Sequence, residues 1–322
     1  MNAPAVDRRP SIRIGISACL LGDEVRFDGG HKRDRFLTDT LGPFVEWVKV
    51  CPEVEMGLGT PRETLRLVAT DGTLRLITTR TGIDHTDGMH AWSAERVAEL
   101  ADEQLSGYVL KKDSPSCGMT RVKVYGLPMP ERSGRGLFAT ALMERFPNLP
   151  VEEEGRLSDP RLRENFIERV FAYRRLRDVF AAAWTTGDLI RFHTAHKMSL
   201  LSHSTTAYQA LGRLVAGARG QKPSVVRESY ESLFMSTMAK IATPARHTNV
   251  LQHMAGHLKR LIDADSKREL QGAIDEYRRG LVPLVVPLTL LRHYVRLHQV
   301  AYLAGQTYLE AHPRELMLRN HV

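Results

Sequence analysis

The chain has 322 residues, 43% of them apolar and 25% charged, a composition that is ordinary for a globular protein. This length predicts about two domains. Three cysteines are too few, and odd in number, for a disulfide scaffold, so we expect reduced thiols. Residues 1–10 contain no apolar signal segment, and the apolar stretch at 281–291 is short and interrupted by proline. These features exclude a secreted or membrane-spanning protein and predict a soluble, cytoplasmic one.

The first half alternates strand-like and helix-like runs. Predicted strands cover 12–18, 48–50, 74–79, 107–112 and 149–154. Predicted helices cover 36–48, 91–105 and 136–146. Alternation of this kind predicts a parallel, Rossmann-like sheet with helices on both faces.

A domain boundary is predicted at Ser158-Asp159-Pro160, because Ser158 or Asp159 can cap a helix that begins at Pro160. The chain beyond it is predicted to be helical throughout, over 162–180, 188–215, 229–241, 248–263, 267–279 and 288–308. The predicted fold class is therefore α/β, with an N-terminal Rossmann-like domain at 1–157 and an all-α domain at 158–322.

The net charge of +8 is confined to the second half. Residues 1–150 hold 20 of the 45 Lys and Arg and 20 of the 37 Asp and Glu, so the whole excess falls on residues 151–322. A basic domain favours phosphate-bearing partners, nucleic acid first among them, although a solvated surface that is basic by composition alone is the alternative. The predicted phosphate contacts are Arg161, Arg163, Arg174, Arg175, Lys259 and Arg260.

Each of the three cysteines, Cys19, Cys51 and Cys117, follows a predicted strand. The carboxyl ends of parallel strands share one sheet edge, so we expect the thiols to converge there. Soft thiolates select zinc, cuprous copper or an iron–sulfur cluster, and a 4Fe-4S cluster held by three cysteines has one iron without a protein ligand. The alternative is three unrelated buried cysteines that pack as small apolar residues.

Motifs around the cysteines resemble a known family. They are S-A-C-L-L-G at 17–22, R-F-D-G at 26–29, C-P-E-V at 51–54, G-L-G-T-P-R at 57–62 and S-P-S-C-G at 114–118. Together they resemble the thiouracil desulfurase family. The second half resembles a helical domain of unknown function that is often fused to it, through F-H-T-A-H-K at 192–197, Q-H-M-A-G-H at 252–257 and P-L-T-L-L-R-H-Y at 287–294. Chains with this fusion resemble bacterial desulfidases that convert 4-thiouridine in tRNA to uridine.

The resemblance implies a 4Fe-4S cluster on Cys19, Cys51 and Cys117, whose open iron takes up the thiocarbonyl sulfur of the base. Water then replaces sulfur at C4 of the pyrimidine, and sulfide leaves without net redox change. Because 4-thiouridine must leave its stack to reach such a centre, we also expect base extrusion. No membrane and no obligate protein partner are predicted.

Five polar residues in these motifs are candidates for catalysis and substrate binding. Glu53 is predicted as general acid/base, because a carboxyl in a poorly solvated pocket is suited to proton exchange; the alternative is a carboxylate that caps a helix or pairs with Arg62. Ser114 is the second catalytic candidate, and turn formation around Pro115 is its alternative. Asp28, Ser116 and Arg62 are predicted to bind substrate, although Asp28 and Ser116 could merely form turns.

Other functions stay open from the sequence alone. Free thiouracil or a thionucleoside is the alternative substrate to tRNA. A zinc pyrimidine deaminase also attacks C4, but its P-C-x-x-C and H-x-E motifs are absent. A redox-responsive RNA-binding protein is the non-enzymatic alternative. The pairs His193/His196 and His253/His257 could hold zinc, although hydrogen bonding within a core or to phosphate is the more common role of such histidines.

Overall fold

The computed structural model of the protein defines residues 12–126, 129–181 and 183–321. The prediction made for residues 1–10 lies outside this part of the chain. Two compact units meet between Ser158 and Asp159. The Asp159 side chain accepts hydrogen bonds from the backbone N–H groups of Arg161 and Leu162, and Pro160 is the first residue of the helix that follows. This cap fixes where the helical unit begins.

The first unit contains eight strands and three α-helices within the described residues. In chain order they are β1 (Ile12–Ser17), β2 (Val45–Val50), α1 (Pro52–Glu55), β3 (Leu65–Thr70), β4 (Thr73–Thr78), α2 (Thr86–Asp102), β5 (Gly107–Leu110), β6 (Val122–Tyr125), β7 (Glu131–Gly134), α3 (Leu137–Arg145) and β8 (Val151–Glu153).

Four of these strands form a parallel sheet in the order β2-β1-β5-β8. Its central strand β5 is buried on both faces, because the consecutive residues Tyr108, Val109 and Leu110 alternate between the faces and are all fully buried. The predicted fold class, an α/β region followed by helices, is confirmed. The three strands that precede the cysteines are neighbours in this sheet, with β1 in the middle.

A close approach inside this sheet yields a stability prediction. A Cβ atom added to Gly15 on β1 would lie 2.2 Å from Cδ2 of Tyr108, a fully buried residue. The Tyr108 ring packs on Phe138 with 6.0 Å between centroids, so it has little room to move. We expect Gly15→Ala to lower the free energy of unfolding by about 1–3 kcal/mol in urea denaturation, the usual cost of overpacking.

The matched control is Gly272→Ala, because an added Cβ there meets no atom within 4 Å. That change should raise the free energy of unfolding by about 0.5–1 kcal/mol through helix propensity. Equal stability of Gly15→Ala and the unmodified protein would contradict the packing described for β1.

A second sheet was not predicted. It is mixed, in the order β4-β3-β6-β7, with β3 antiparallel to β4 and parallel to β6. The hairpin between β3 and β4 turns at Asp71 and Gly72, which have φ angles of 49° and 74°. An Asp-Gly pair between two alternating runs is a strong hairpin signal that the sequence interpretation passed over. The strand predicted at 74–79 therefore belongs to this second sheet.

The helix predicted over 36–48 is wrong in its second half. A wide helical turn covers Phe36–Leu41 and a tight one covers Gly42–Phe44, and β2 then starts at Val45. Pro43 cannot continue a regular helix, and Val45 pairs in register with Ile12 of β1. The apolar residues that suggested one helix are thus divided between the helical turn Phe36–Leu41 and strand β2.

The second unit is helical within the described residues. Its helices are α4 (Pro160–Phe180), α5 (Thr186–Ala195), α6 (Lys197–His203), α7 (Thr205–Ala216), α8 (Pro223–Met238), α9 (Pro244–Leu258), α10 (Ala264–Arg278), α11 (Val285–Leu297) and α12 (Ala301–Ala304). None of the described helices is both long and apolar enough to cross a bilayer.

Two of the predicted long helices are broken into shorter ones. The run 188–215 becomes α5, α6 and α7, because His196 ends one helix and the Ser204 side chain caps another by accepting from Ala207 N–H. The run 288–308 breaks after α11, where Gln299 has a φ angle of 50°. Local caps and one left-handed residue thus override a continuous helical pattern.

Two buried histidines make the second unit sensitive to acid. His196 is 2% exposed, its Nδ1–H donates to the Phe192 carbonyl oxygen, and its Nε2 accepts from Arg175. Burial, aided by the Arg175 charge, lowers the pKa of His196 from 6.5 to about 3. Burial likewise lowers the pKa of His247 to about 3, and the charge of Arg319 adds to the effect.

Each of these imidazoles is neutral when folded and gains a proton on unfolding below pH 6.5. The unfolded chain then binds more protons, so the free energy of unfolding falls as pH falls from 6.5 toward 3. We expect about 1.4 kcal/mol per pH unit for each histidine. Urea unfolding between pH 7 and pH 5 measures this slope. Glu164 contributes with the opposite sign, because burial raises its pKa to about 7 and the folded state then holds the extra proton. His196→Asn should therefore lower the slope by about 1.4 kcal/mol per pH unit, and an unchanged slope in this variant would contradict the assignment.

Candidate metal centre

The parallel sheet brings the three cysteines together at its carboxyl edge. Ser17 at the end of β1 pairs with Val50 at the end of β2; Cys19 lies two residues beyond the first end, and Cys51 directly follows the second. Cys117 lies in the loop after β5, the other neighbour of β1. All three are free thiols, and all three line one cavity of about 350 Å³. The expected convergence of the thiols is therefore confirmed.

The thiols influence one another electrostatically. Burial raises the pKa of the Cys19 thiol to about 11, the nearby Cys51 adds to this, and the cations Lys111 and Arg26 oppose it. Burial also raises the pKa of Cys51 and, more strongly, that of Cys117, which feels both other cysteines. Without a metal the three groups are therefore protonated thiols. Three thiols beside two cations form a donor set that suits a soft metal, because metal binding replaces the thiol protons.

The donor set fits a cluster in which each cysteine serves its own iron atom. A single ion makes a stricter demand, since all of its ligands must reach one point. Within residues 12–126, 129–181 and 183–321, no group of three His, Cys, Asp or Glu side chains meets that demand. The fit of the three thiols to a cluster therefore depends on the chemistry of soft thiolate donors that line one cavity.

Glu53 is held on both carboxylate oxygens. Its Oε2 accepts from Nε and Nη2 of Arg62 at 2.9 and 2.7 Å, and its Oε1 accepts from the Ser116 hydroxyl at 2.9 Å. The predicted alternative, a pair with Arg62, is thus present. Glu53 also lines the cavity that the thiols share. The pairing fixes the orientation of the carboxylate and leaves its role in proton transfer as a prediction.

Arg62 joins neighbouring segments by hydrogen bonds, so its guanidinium is engaged within the protein and is not a free ligand for substrate. Beyond its bonds to Glu53, it donates from Nη2 to the Val25 carbonyl oxygen at 3.0 Å and from Nη1 to the Gly59 carbonyl oxygen at 2.9 Å. Its side chain is only 7% exposed. Arg62 therefore ties α1 to the loop that carries Arg26 and Phe27.

Ser114 and Ser116 occupy different environments. The Ser114 Oγ accepts from the backbone N–H groups of Ser116 and Cys117 at 3.2 and 3.0 Å, and the residue lines the cavity. A hydroxyl that accepts twice still has a proton to donate, so Ser114 combines its turn role with a donor at the cavity wall. Ser116 is fully buried and donates to Glu53. The structure thus disfavours direct substrate contact by Ser116 and gives it a positioning role.

Asp28 behaves as a turn residue. Its Oδ1 accepts from Gly30 N–H at 3.1 Å and lies 3.5 Å from Nε of Arg26. The backbone hydrogen bond from Gly30 is the main cause that lowers the pKa of Asp28. The residue is exposed, whereas its neighbours Arg26 and Phe27 line the cavity. Of the two roles considered for Asp28, the geometry favours the turn.

Several cavity residues were not predicted, among them Arg26, Phe27 and Lys111. Arg26 and Phe27 belong to the R-F-D-G motif, and the Arg26 guanidinium lies 5.3 Å from the Phe27 ring centroid. Lys111 follows β5 directly, lines the cavity and pairs with Glu154. The predicted strand ran to residue 112, so the position of Lys111 at a strand end was not visible from the sequence.

The residues predicted to contact phosphate differ in their surroundings. Arg161, Lys259 and Arg260 are exposed, whereas Arg163 and Arg174 are partly buried. Arg174 pairs with Asp178 at 2.9 Å. Arg175 donates to His196 and to the Ala311 carbonyl oxygen at 3.2 and 3.1 Å, so it serves the interior of its unit and its predicted phosphate contact is disfavoured.

The histidine pairs give no support to zinc. His193 Nδ1 lies 3.1 Å from the Tyr230 hydroxyl, and His196 is bonded within the core. His253 and His257 are exposed neighbours with 5.4 Å between ring centroids. In the described part of the chain, neither pair belongs to a group of three metal-ligating side chains.

The fold and this cavity define an α/β protein with a three-thiol centre, fused to a helical unit. Residues 14–154 match the family described as 2-thiouracil desulfurase, and residues 197–313 match a family of unknown function, DUF1722. The uncharacterized protein YbbK of Bacillus subtilis (strain 168) is 32% identical over 155 residues, which cover 45% of this chain and 98% of YbbK. The chain thus belongs to the 2-thiouracil desulfurase family and continues into a DUF1722 region.

Two other proteins are similar to parts of the chain. The uncharacterized protein YbgA of Escherichia coli (strain K12) is 34% identical over 161 residues, which cover 50% of this chain and 95% of YbgA. The solved structure of the [4Fe-4S]-dependent thiouracil desulfidase TudS is 30% identical, with a TM-score of 0.38, and the match covers 46% of this chain and 94% of TudS.

Proposed function

We propose that this protein is an iron–sulfur-dependent desulfidase that replaces the sulfur of 4-thiouridine in tRNA by oxygen and releases sulfide without net redox change. The observation that carries the proposal is the convergence of Cys19, Cys51 and Cys117 on one cavity that Glu53 also lines. Family membership supports the thiopyrimidine as the class of substrate, and the basic second half supports a nucleic acid as its carrier. Free thiouracil is the alternative substrate.

In this proposal Cys19, Cys51 and Cys117 hold a 4Fe-4S cluster. When bound, the cluster supplies a thiophilic iron that lacks a protein ligand and polarises the C=S bond, which makes the pyrimidine carbon electrophilic. Lys111 and Arg26 offset the negative charge of the thiolates.

The residues of the chain supply orientation and proton transfer. Glu53, fixed by Arg62 and Ser116, takes a proton from the attacking water through Oε1, which accepts one hydrogen bond from Ser116 and keeps a second acceptor site, whereas Oε2 already accepts twice from Arg62. Ser114 donates its hydroxyl proton to an acceptor on the base. Phe27 is 39% exposed at the cavity and offers an aromatic face for the extruded base.

The test is anaerobic reconstitution followed by incubation with tRNA that contains 4-thiouridine, and in parallel with free 2-thiouracil. We expect brown protein with about four irons per chain, loss of the thiobase absorbance and equimolar sulfide. Turnover of the free base alone would exclude tRNA as the substrate. Colourless protein with one zinc, or a cluster without any turnover, would exclude the desulfidase.

A further inference from the structure

Two motifs of the helical unit that the proposed reaction does not use meet on its surface. Lys197, which ends the motif at 192–197, has its Nζ 5.9 Å from the ring centroid of Tyr302. His257, which ends the motif at 252–257, has its ring 5.1 Å from Tyr302 and 5.4 Å from His253. We name Lys197, His253, His257 and Tyr302 the basic-aromatic patch.

Three of the four patch residues are exposed and Lys197 is half-buried, and the patch is built on a fixed backbone. His253 and His257 are exposed on α9, and Tyr302 on α12 is 36% exposed. Gln306, only 3% exposed, joins the start of α6 to α12: its Oε1 accepts from Met198 N–H at 3.2 Å, and its Nε2 donates to the Thr194 and Tyr302 carbonyl oxygens at 2.9 and 3.4 Å. The spacing between Lys197 and Tyr302 is therefore held by a buried amide.

The chain around the patch lacks acidic residues. No Asp or Glu occurs in 189–227, 232–262 or 277–309, and each of these runs supplies part of the patch. By contrast, α4 carries Asp178, which pairs with Arg174. The cations of the patch are thus gathered in segments that offer no carboxylate of their own, an arrangement that favours an anionic partner.

The local electrostatics agree with this. The pKa of His253 is lowered by burial and then by the charges of Lys197 and His257, with no acidic group among the causes. Lys259 and Arg260, predicted phosphate contacts, are exposed and directly follow α9, which ends at Leu258. Tyr302 offers a stacking face, and Lys197 beside it offers a phosphate contact, which is the combination that single-stranded nucleic acid requires.

We propose that the basic-aromatic patch binds RNA, with Lys197 and the two histidines on phosphates and an unpaired base stacked on Tyr302. The inference rests on the proposed function in that the RNA is the tRNA substrate, and it moves the recognition surface from the arginines of α4 to α6, α9 and α12.

The test compares the double variant Lys197→Gln/Tyr302→Ser with the control Arg268→Gln, an exposed cation of α10 that pairs with Asp265. Binding of thiolated tRNA to holoprotein is measured by fluorescence anisotropy at rising salt, and turnover of free 2-thiouracil is measured beside it. The double variant should bind tRNA at least roughly tenfold more weakly, because it loses a stacked base. Its salt slope should fall by about one, because it loses one phosphate contact. The control should match the unmodified protein.

The outcomes separate this inference from the proposed function. Weakened tRNA binding with unchanged 2-thiouracil turnover supports the patch. Binding of tRNA through the patch by a protein that desulfurates nothing supports the patch and removes the enzyme. Unchanged tRNA binding by the double variant, or equal loss in the control, overturns the patch. Displacement of tRNA by phosphatidylglycerol vesicles at matched phosphate also overturns it, in favour of a membrane surface.

Discussion

Cys51→Ser is expected to abolish sulfide release and to leave the reconstituted protein nearly colourless. Serine fits the site, because Cys51 is partly exposed at the start of α1 and its Sγ lies 3.8 Å from the Val25 carbonyl oxygen. Its hydroxyl is a poor ligand for a soft metal. The rate should fall by at least about 100-fold, since even the partners of metal ligands cost 10–100-fold when replaced.

Two controls separate loss of the ligand from loss of the fold. Metal-free Cys51→Ser should unfold within about 1 kcal/mol of the metal-free unmodified protein, as surface and half-buried substitutions usually do. Thr64→Ser, a conservative change in the wall of the same cavity, should retain iron and turnover. Full iron content and activity in Cys51→Ser would mean that this thiol is not a ligand.

Glu53→Gln should keep the iron and lose the turnover. The amide oxygen can still accept from Arg62 while the amide NH2 donates to the Ser116 hydroxyl, so the shape of the site is preserved while its capacity to take a proton is removed. The rate of sulfide release should fall by about 10²–10⁴, the usual contribution of a general base. Iron per chain, the rate constant and its pH dependence are the three measurements.

A comparison of Arg62→Gln with Glu53→Gln tests whether Arg62 positions Glu53 without taking part in proton transfer. Arg62 holds both Glu53 and the Val25 loop, so its loss should reduce turnover less than Glu53→Gln and should preserve the pH dependence. If Glu53→Gln turns over normally, or loses iron in proportion to its activity, Glu53 is not the proton acceptor.

The thiol centre could be predicted because it depends on strand order and little else. Because β1, β2 and β5 are neighbours in a parallel sheet, their carboxyl ends lie together at one edge, and the cysteines follow those ends. Glu53 was found for a related reason, since it stands two residues after Cys51 at the start of α1.

The second sheet and the roles of the polar loop residues could not be predicted as readily. Strand β6 pairs with β3 from more than fifty residues away, and apolar periodicity carries no information on such a partner. Ser116 and Asp28 stand in similar loops, yet one is fully buried against Glu53 and the other is exposed in a turn. That difference depends on how the loops fold back over the sheet edge.

The three thiols follow strands that become neighbours only when the sheet has formed. A cofactor bound by all three thiols would link the carboxyl ends of β2, β1 and β5, three strands that are widely separated along the chain. Loading the centre should therefore raise the melting temperature of the first unit, and chelation should lower it, because a ligand that binds only the native state stabilises it by mass action. We therefore expect cofactor insertion to follow the folding of the sheet and to stabilise the folded first unit.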